Sequence, residues 1–351
     1  MVTGARTPEE WGHEFRRVRP DHEQFCAEFA RLMRDQLAAA RIDYAQIEPR
    51  TKSVESFVDK IRRKNEKYAD PLREITDLAG IRVIAYFPAD VEQIGALIEQ
   101  HFAVDWDHSR RQSGASDPDR FGYRSDHYVV RFSPDRLALL ENQRFAEHVA
   151  EIQVRTVMQH AWAAVDHRLR YKNTAQLPEE LRRRLYRLSA LLEVADDQFA
   201  AVKQAADELD ATYTEEVQRG DLSAELDVLS LDAFVRETGL ADRWVRIAVD
   251  AGFGAPWGDD LGNLPLLAQS LSSLGVERLA DVQRFFEDAL TWGPPFLAQV
   301  TSHAVPMGFL PMAAPFDVLT FLALACAPTA EAILATPYAD PIKAAIVTLR
   351  R

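Results

Sequence analysis

Arg50-x-Lys52-x-x-x-Ser56-x-x-x-Lys60 places three cations and a hydroxyl within a short stretch of chain. At roughly 100° per residue, Lys52, Ser56 and Lys60 fall along one stripe of a helix, with Arg50 just ahead of it. Cations so spaced, with a hydroxyl between them, can follow an extended polyphosphate. Joined by Arg62, Arg63, Lys64 and Lys67, they equally describe a solvated basic face. A carboxylate follows in Ile75-Thr76-Asp77-Leu78-Ala79-Gly80-Ile81-Arg82-Val83. Just before a buried strand, Asp77 suits Mg²⁺, which takes a few carboxylates together with substrate phosphate oxygens. It also suits the simpler duty of capping a turn.

Two further segments carry polar groups into strands. In Phe121-Gly122-Tyr123-Arg124-Ser125-Asp126-His127-Tyr128, the tyrosine beside a glycine can offer an open ring face for stacking a base. His127 can donate to a phosphate, or it can be a strand residue with a satisfied hydrogen bond. In Glu151-Ile152-Gln153-Val154-Arg155-Thr156, the alternation turns Glu151, Gln153 and Arg155 away from the side that holds Ile152 and Val154. Glu151 opposite Asp77 would complete a metal site or take a proton from an attacking hydroxyl. His160 and His167, seven residues apart and so on one helix face, lack the H-E-x-x-H spacing and the nearby thiols of a zinc site.

The elements that must position these residues follow from periodicity and punctuation. Residues 9–41 read as a helix with Phe25, Phe29 and Leu32 at helical spacing, and 53–67 as a basic amphipathic helix ending before Pro71. Ile81–Phe87, His127–Phe132 and 149–155 read as strands. Asp90 is expected to cap a helix through about Gln100. Residues 107–122 read as a polar loop, longer than most connections and so of functional interest. Helices are expected from Thr156 to Tyr171 and from Pro178 to Thr214. A boundary is expected near Gly220, followed by amphipathic helices over Leu231–Val249 and Leu279–Leu290.

The bulk numbers bound the classes. With 351 residues, 47% hydrophobic and 27% charged, the chain has room for two globular domains. No apolar run nears the roughly 20 residues of a membrane span, and the N-terminus lacks the apolar core of a secretory signal. Cys26 and Cys326 form no Cys/His cluster, so the cytoplasm is the expected location. Residues 1–200 carry 31 Lys/Arg against 33 Asp/Glu and residues 201–351 carry 10 against 21, so the last 151 residues hold −11 of the net −13. The first part can present basic patches to phosphates, and the second is acidic.

In this order, the four segments resemble the synthetase domain of the RelA/SpoT-homologue family, over roughly residues 45–175. The resemblance implies an α/β fold, a mixed β-sheet flanked by helices of nucleotidyltransferase type, over residues 1–220. A mostly α-helical C-terminal domain would occupy residues 221–351. It also implies roles: Arg50, Lys52, Ser56 and Lys60 bind ATP, and Asp77 and Glu151 are the catalytic and Mg²⁺-binding carboxylates. Tyr123, His127, Gln153 and Arg155 bind the acceptor. The implied reaction is attack of an acceptor 3′-hydroxyl on the β-phosphorus of ATP, transferring pyrophosphate and releasing AMP.

The acceptor is open at this level. Guanine-specific members usually carry Asn where this chain has Phe121, Asp126 replaces the family's usual apolar residue, and the loop 108–120 has Arg110, Arg111 and Arg120 but lacks the lysines of many guanosine-alarmone synthetases. GTP or GDP, giving (p)ppGpp, is the first expectation. The tRNA 3′-CCA end or an adenosine nucleotide, as in toxic small synthetases, is the alternative, with an inactive nucleotide-sensing module as the remaining one. No His-Asp dipeptide of the family's hydrolase module occurs in the sequence. The acidic C-terminal part is expected either to restrain the synthetase, docking over Arg62–Lys64 or Arg182–Arg184, or to support stability or homo-oligomer formation.

Overall fold

Thr7 opens the first helix, α1 (Pro8–Ala39), through a capping box in which its side chain accepts from the Glu10 N–H and the Glu10 carboxylate accepts from its own N–H. The apolar face of α1 buries Phe25, Phe29, Met33 and Leu37 completely. The computed structural model describes residues 6–64, 67–111, 125–171, 178–256, 261–308, 310–326 and 339–349. Tyr123 and most of the long polar loop lie outside them. Two compact units emerge, Met1–Lys203 and Gln204–Arg351.

The first unit holds a five-stranded mixed sheet flanked by helices. Its strands are β1 (Gln46–Thr51), β2 (Ala79–Ala85), β3 (Phe102–Arg110), β4 (Asp126–Phe132) and β5 (Ala150–Thr156), in the order β1-β2-β5-β4-β3. Only β2 and β5 run parallel; the other neighbours are antiparallel. The helices are α1, α2 (Val54–Arg63), α3 (Pro88–His101), α4 (Val157–Tyr171) and the start of α5 (Glu179–Gln218). Strand alternation divides the sheet into two faces. Ile81, Val83, Tyr128, Val130, Ile152 and Val154 form the dry face, joined in one core with Phe25, Phe29 and Met33 of α1 and Val91, Ile94 and Ile98 of α3. Each such fully buried side chain contributes about 1.5–3 kcal/mol, which fixes the register of the strands and so the aim of the polar residues between them.

A smaller cluster of Phe15, Phe57, Ile75 and Leu78 joins α1, α2 and the turn before β2. The Phe15 and Phe57 rings stand 4.6 Å apart. At the end of β5, Thr156 Oγ1 donates to Asp196 Oδ2 of α5 at 2.6 Å, in a buried bond.

The second unit is helical, with α6 (Val228–Thr238), α7 (Leu240–Asp250), α8 (Leu264–Ser272), α9 (Leu279–Asp288), α10 (Gly293–Ala304), α11 (Pro315–Cys326) and α12 (Ala339–Leu349). Residues Val318–Ala325 of α11 are buried on every side, and their apolar side chains share a core with Trp244, Phe286 and Phe296. Among the described residues no helix is long and apolar enough to cross a membrane.

Four local expectations are corrected. The single helix over Leu231–Val249 is two helices, because Gly239 adopts φ 64°, a left-handed conformation that ends α6 and turns the chain into α7. Phe87, not Asp90, is the N-cap of α3; Asp90 sits at the third position, where its carboxylate accepts from the Phe87 N–H at 3.1 Å. The polar stretch from 107 is partly strand, since β3 reaches Arg110 by pairing with β4 across a bulge between Asp105 and Arg110. Lys52 lies ahead of α2, whose N-cap is Ser53, so Lys52, Ser56 and Lys60 share no helical stripe.

Candidate active site

The polar face of the sheet gathers the chemistry into rows. Antiparallel pairing sets Arg50 of β1 opposite Gly80 of β2, and parallel pairing sets Gly80 beside Glu151 of β5. The next row runs Glu48, Arg82, Gln153 and His127 across four strands. Gly80 leaves the first row bare between its charged ends: a Cβ there would come within 3.2 Å of the Arg50 carbonyl oxygen. The result is a cleft lined by Arg50, Lys52, Asp77, Gly80, Ile81, Arg82, Glu151 and Gln153.

Lys52 enters this cleft from the loop between β1 and α2. Its backbone N–H donates to the Leu78 carbonyl at 3.0 Å, and its own carbonyl accepts from Arg19 Nε at 3.0 Å. Its ammonium donates to Asp77 Oδ2 at 2.5 Å, and Lys60, from α2, donates to Asp77 Oδ1 at 2.8 Å. Burial by itself would raise the Asp77 pKa; the hydrogen bonds and charges of the two lysines outweigh it and hold the carboxyl below the usual range. The side chains of Lys52, Lys60 and Asp77 are only 15%, 22% and 26% exposed, so water screens these contacts less than on an open surface.

On the opposite wall, Glu151 Oε1 accepts from His127 Nδ1 at 2.8 Å, and the other ring nitrogen of His127 lies 2.7 Å from Ser125 Oγ. Arg82, which the strand alternation of β2 puts on the same side as Gly80, reaches Glu48 Oε2 at 3.5 Å.

The residues marked out in the sequence thus have different fates. Arg50, Lys52, Asp77, Glu151 and Gln153 share the cleft, Lys60 joins it through Asp77, and His127 joins it through Glu151. Ser56 does not line it: its hydroxyl and its backbone N–H bond to Ser53, the N-cap of the same helix. Arg155 lies beyond the lining, 6% exposed, with Nε buried and without a hydrogen-bond partner. Burial, then the charge of Arg82, lowers its pKa to about 10. Tyr123 is outside the described residues. Arg82 is the cleft residue that motif reading left without a role; reading β2 by the same alternation as β5 finds it.

The cleft combines three lining cations with two carboxylates, a composition suited to a polyphosphate accompanied by a metal ion. Among the described residues no group of three or more His, Cys, Asp and Glu could enclose a metal. Asp77 and Glu151 on one cleft fit the alternative, a magnesium ion that takes one or two carboxylates and fills its other positions with water and phosphate oxygens.

Residues 49–176 match the family described as the region found in RelA/SpoT proteins. The GTP pyrophosphokinase YjbM of Bacillus subtilis is 30% identical over 170 residues, covering 47% of this chain and 74% of that protein. The GTP pyrophosphokinase YwaC of the same organism is 29% identical over 160 residues, covering 45% and 73%. Among solved structures, small alarmone synthetase 1 from Bacillus subtilis aligns with 56% of this chain and 99% of its own, at 24% identity and a TM-score of 0.47.

Proposed function

Because this chain belongs to the RelA/SpoT family of synthetases, we propose that it is a pyrophosphokinase moving the β,γ-diphosphate of ATP to the 3′-hydroxyl of GDP or GTP. The observation that carries this reading is the shared cleft: donor cations, Asp77 and Glu151 converge there from separate elements of the sheet and its edge. The relatives' names as GTP pyrophosphokinases support a guanosine acceptor.

In this reading Arg50, Lys52 and Lys60 neutralise the triphosphate and hold it along the edge of β1 and β2. Glu151 takes the proton of the acceptor hydroxyl as its oxygen bonds to the β-phosphorus. The bond from the β-phosphorus to the oxygen bridging to the α-phosphate breaks, and AMP leaves with that oxygen. A magnesium ion held by Asp77 and Glu151 would supply further neutralisation of phosphate charge. Little covalent chemistry is asked of the protein, so positioning and electrostatics in such a cleft suffice. Gln153 lines the acceptor side, and Tyr123 is its proposed base-stacking residue.

The test supplies γ-³²P-ATP and Mg²⁺ with GDP, GTP, ATP and deacylated tRNA in separate reactions, with Asp77→Asn as control. Label on GDP or GTP with stoichiometric AMP is the expected result. Label on tRNA or adenosine nucleotide alone would replace the acceptor in this reading, and no AMP with any acceptor would remove the activity.

A further inference from the structure

His127 is held at both ring nitrogens, and its carboxylate partner dictates the role of one of them. Glu151 as a carboxylate can only accept, so Nδ1 carries a hydrogen and donates to Oε1 at 2.8 Å. Nε2 shares a hydrogen bond with the Ser125 hydroxyl at 2.7 Å, which holds the plane of the ring. The register explains why the pair meets. His127 stands opposite Gln153 and Val129 opposite Glu151, so His127 and Glu151 are diagonal neighbours on one sheet face, within reach of long side chains. Their side chains are 33% and 20% exposed, leaving the contact partly shielded.

We propose that His127 is the positioning residue of Glu151, and that Ser125 fixes the orientation of the ring for this duty. Oε1 is tied to the imidazole, which leaves Oε2 as the oxygen turned to the acceptor hydroxyl. The inference rests on the reading of Glu151 as the general base. It differs from a phosphate contact, which would use His127 Nε2 toward the acceptor and leave Glu151 unsupported.

Side-chain geometry separates the two roles. The amide nitrogen of Asn sits near the place of an imidazole Nδ1, and that of Gln near Nε2. Steady-state kcat and acceptor KM are therefore compared for His127→Asn, His127→Gln, His127→Ala and Ser125→Ala, with ATP-analogue binding and thermal unfolding measured on each. For a positioning residue, Gln and Ala lower kcat on the order of 10- to 100-fold with little change in acceptor KM. Asn recovers most of that loss, and Ser125→Ala falls between. Gln outperforming Asn, or losses confined to acceptor KM, would overturn the inference. Glu151→Gln separates this from the reading beneath it. If that variant turns over normally, the base assignment fails. If it is inactive while His127→Gln and Ser125→Ala keep the parent kcat, only the positioning role fails.

Discussion

Lys60 Nζ lies 2.8 Å from Asp77 Oδ1, joining the last turn of α2 to the turn that precedes β2. With Lys52 on the other oxygen, both acceptor atoms of Asp77 are engaged by ammonium groups that a polyphosphate would also attract. The packing of Phe57 against Phe15, beside Ile75 and Leu78, is what holds the two elements at that distance.

Metal and donor nucleotide are therefore expected to bind cooperatively. Mn²⁺ titrated by electron paramagnetic resonance should bind poorly to the protein alone and more tightly with a non-hydrolysable ATP analogue. Lys60→Met should tighten Mn²⁺ binding without nucleotide about tenfold, roughly 1.4 kcal/mol. Arg82→Met, which removes a cleft cation that does not touch Asp77, should change it much less. Equal effects of the two variants would mean simple charge repulsion and not occupation of Asp77.

Phe57→Ala is expected to destabilise the first unit by about 3–5 kcal/mol, the usual cost of emptying a buried aromatic site. Its effect on ATP affinity should exceed that of Phe57→Leu, since α2 carries Lys60. Urea denaturation and analogue binding measure the two; an Ala variant of parent stability would show that this cluster does not anchor α2.

Acid should weaken the fold through His22. Burial, with His148 alongside at 4.8 Å between ring centroids, lowers its pKa to about 4. The unfolded chain takes up the proton near 6.5, so it binds more protons than the folded form between pH 6.5 and 4. Stability present above pH 6.5 is then lost as the pH falls toward 4, by on the order of 2–3 kcal/mol. His22→Phe should flatten this part of the stability curve; an unchanged slope would remove His22 as its source.

If the acidic C-terminal unit restrains the synthetase, a chain ending at Asp221 should turn over ATP several-fold faster than the full chain. The motivation is the concentration of −11 of the −13 net charge in residues 201–351. Equal specific activity of the two would leave that unit a stability or assembly role.

How much of this was legible depends on range along the chain. β2, β4 and β5 announce themselves as apolar or alternating runs, and the period of two in β5 is enough to separate Glu151, Gln153 and Arg155 from Ile152 and Val154. β1 gives no such signal. Its six residues include Pro49, Glu48 and Arg50, and it is a strand because β2 supplies a partner on one side only. The expected stripe of Lys52, Ser56 and Lys60 failed for a related reason. Three polar residues at helical spacing do not mark where a helix begins, and the cap at Ser53 excludes Lys52.

By itself the sequence determined the family motifs, the faces of β5 and the succession of basic and acidic segments, because those rest on residue type and local period. Only the tertiary structure decided that Lys52 and Lys60 share Asp77, that His127 bonds to Glu151, and that Arg82 faces the cleft while Arg155 is buried beyond it. Those relations come from strand order and register, which burial of the opposite, apolar face imposes across residues far apart in the chain.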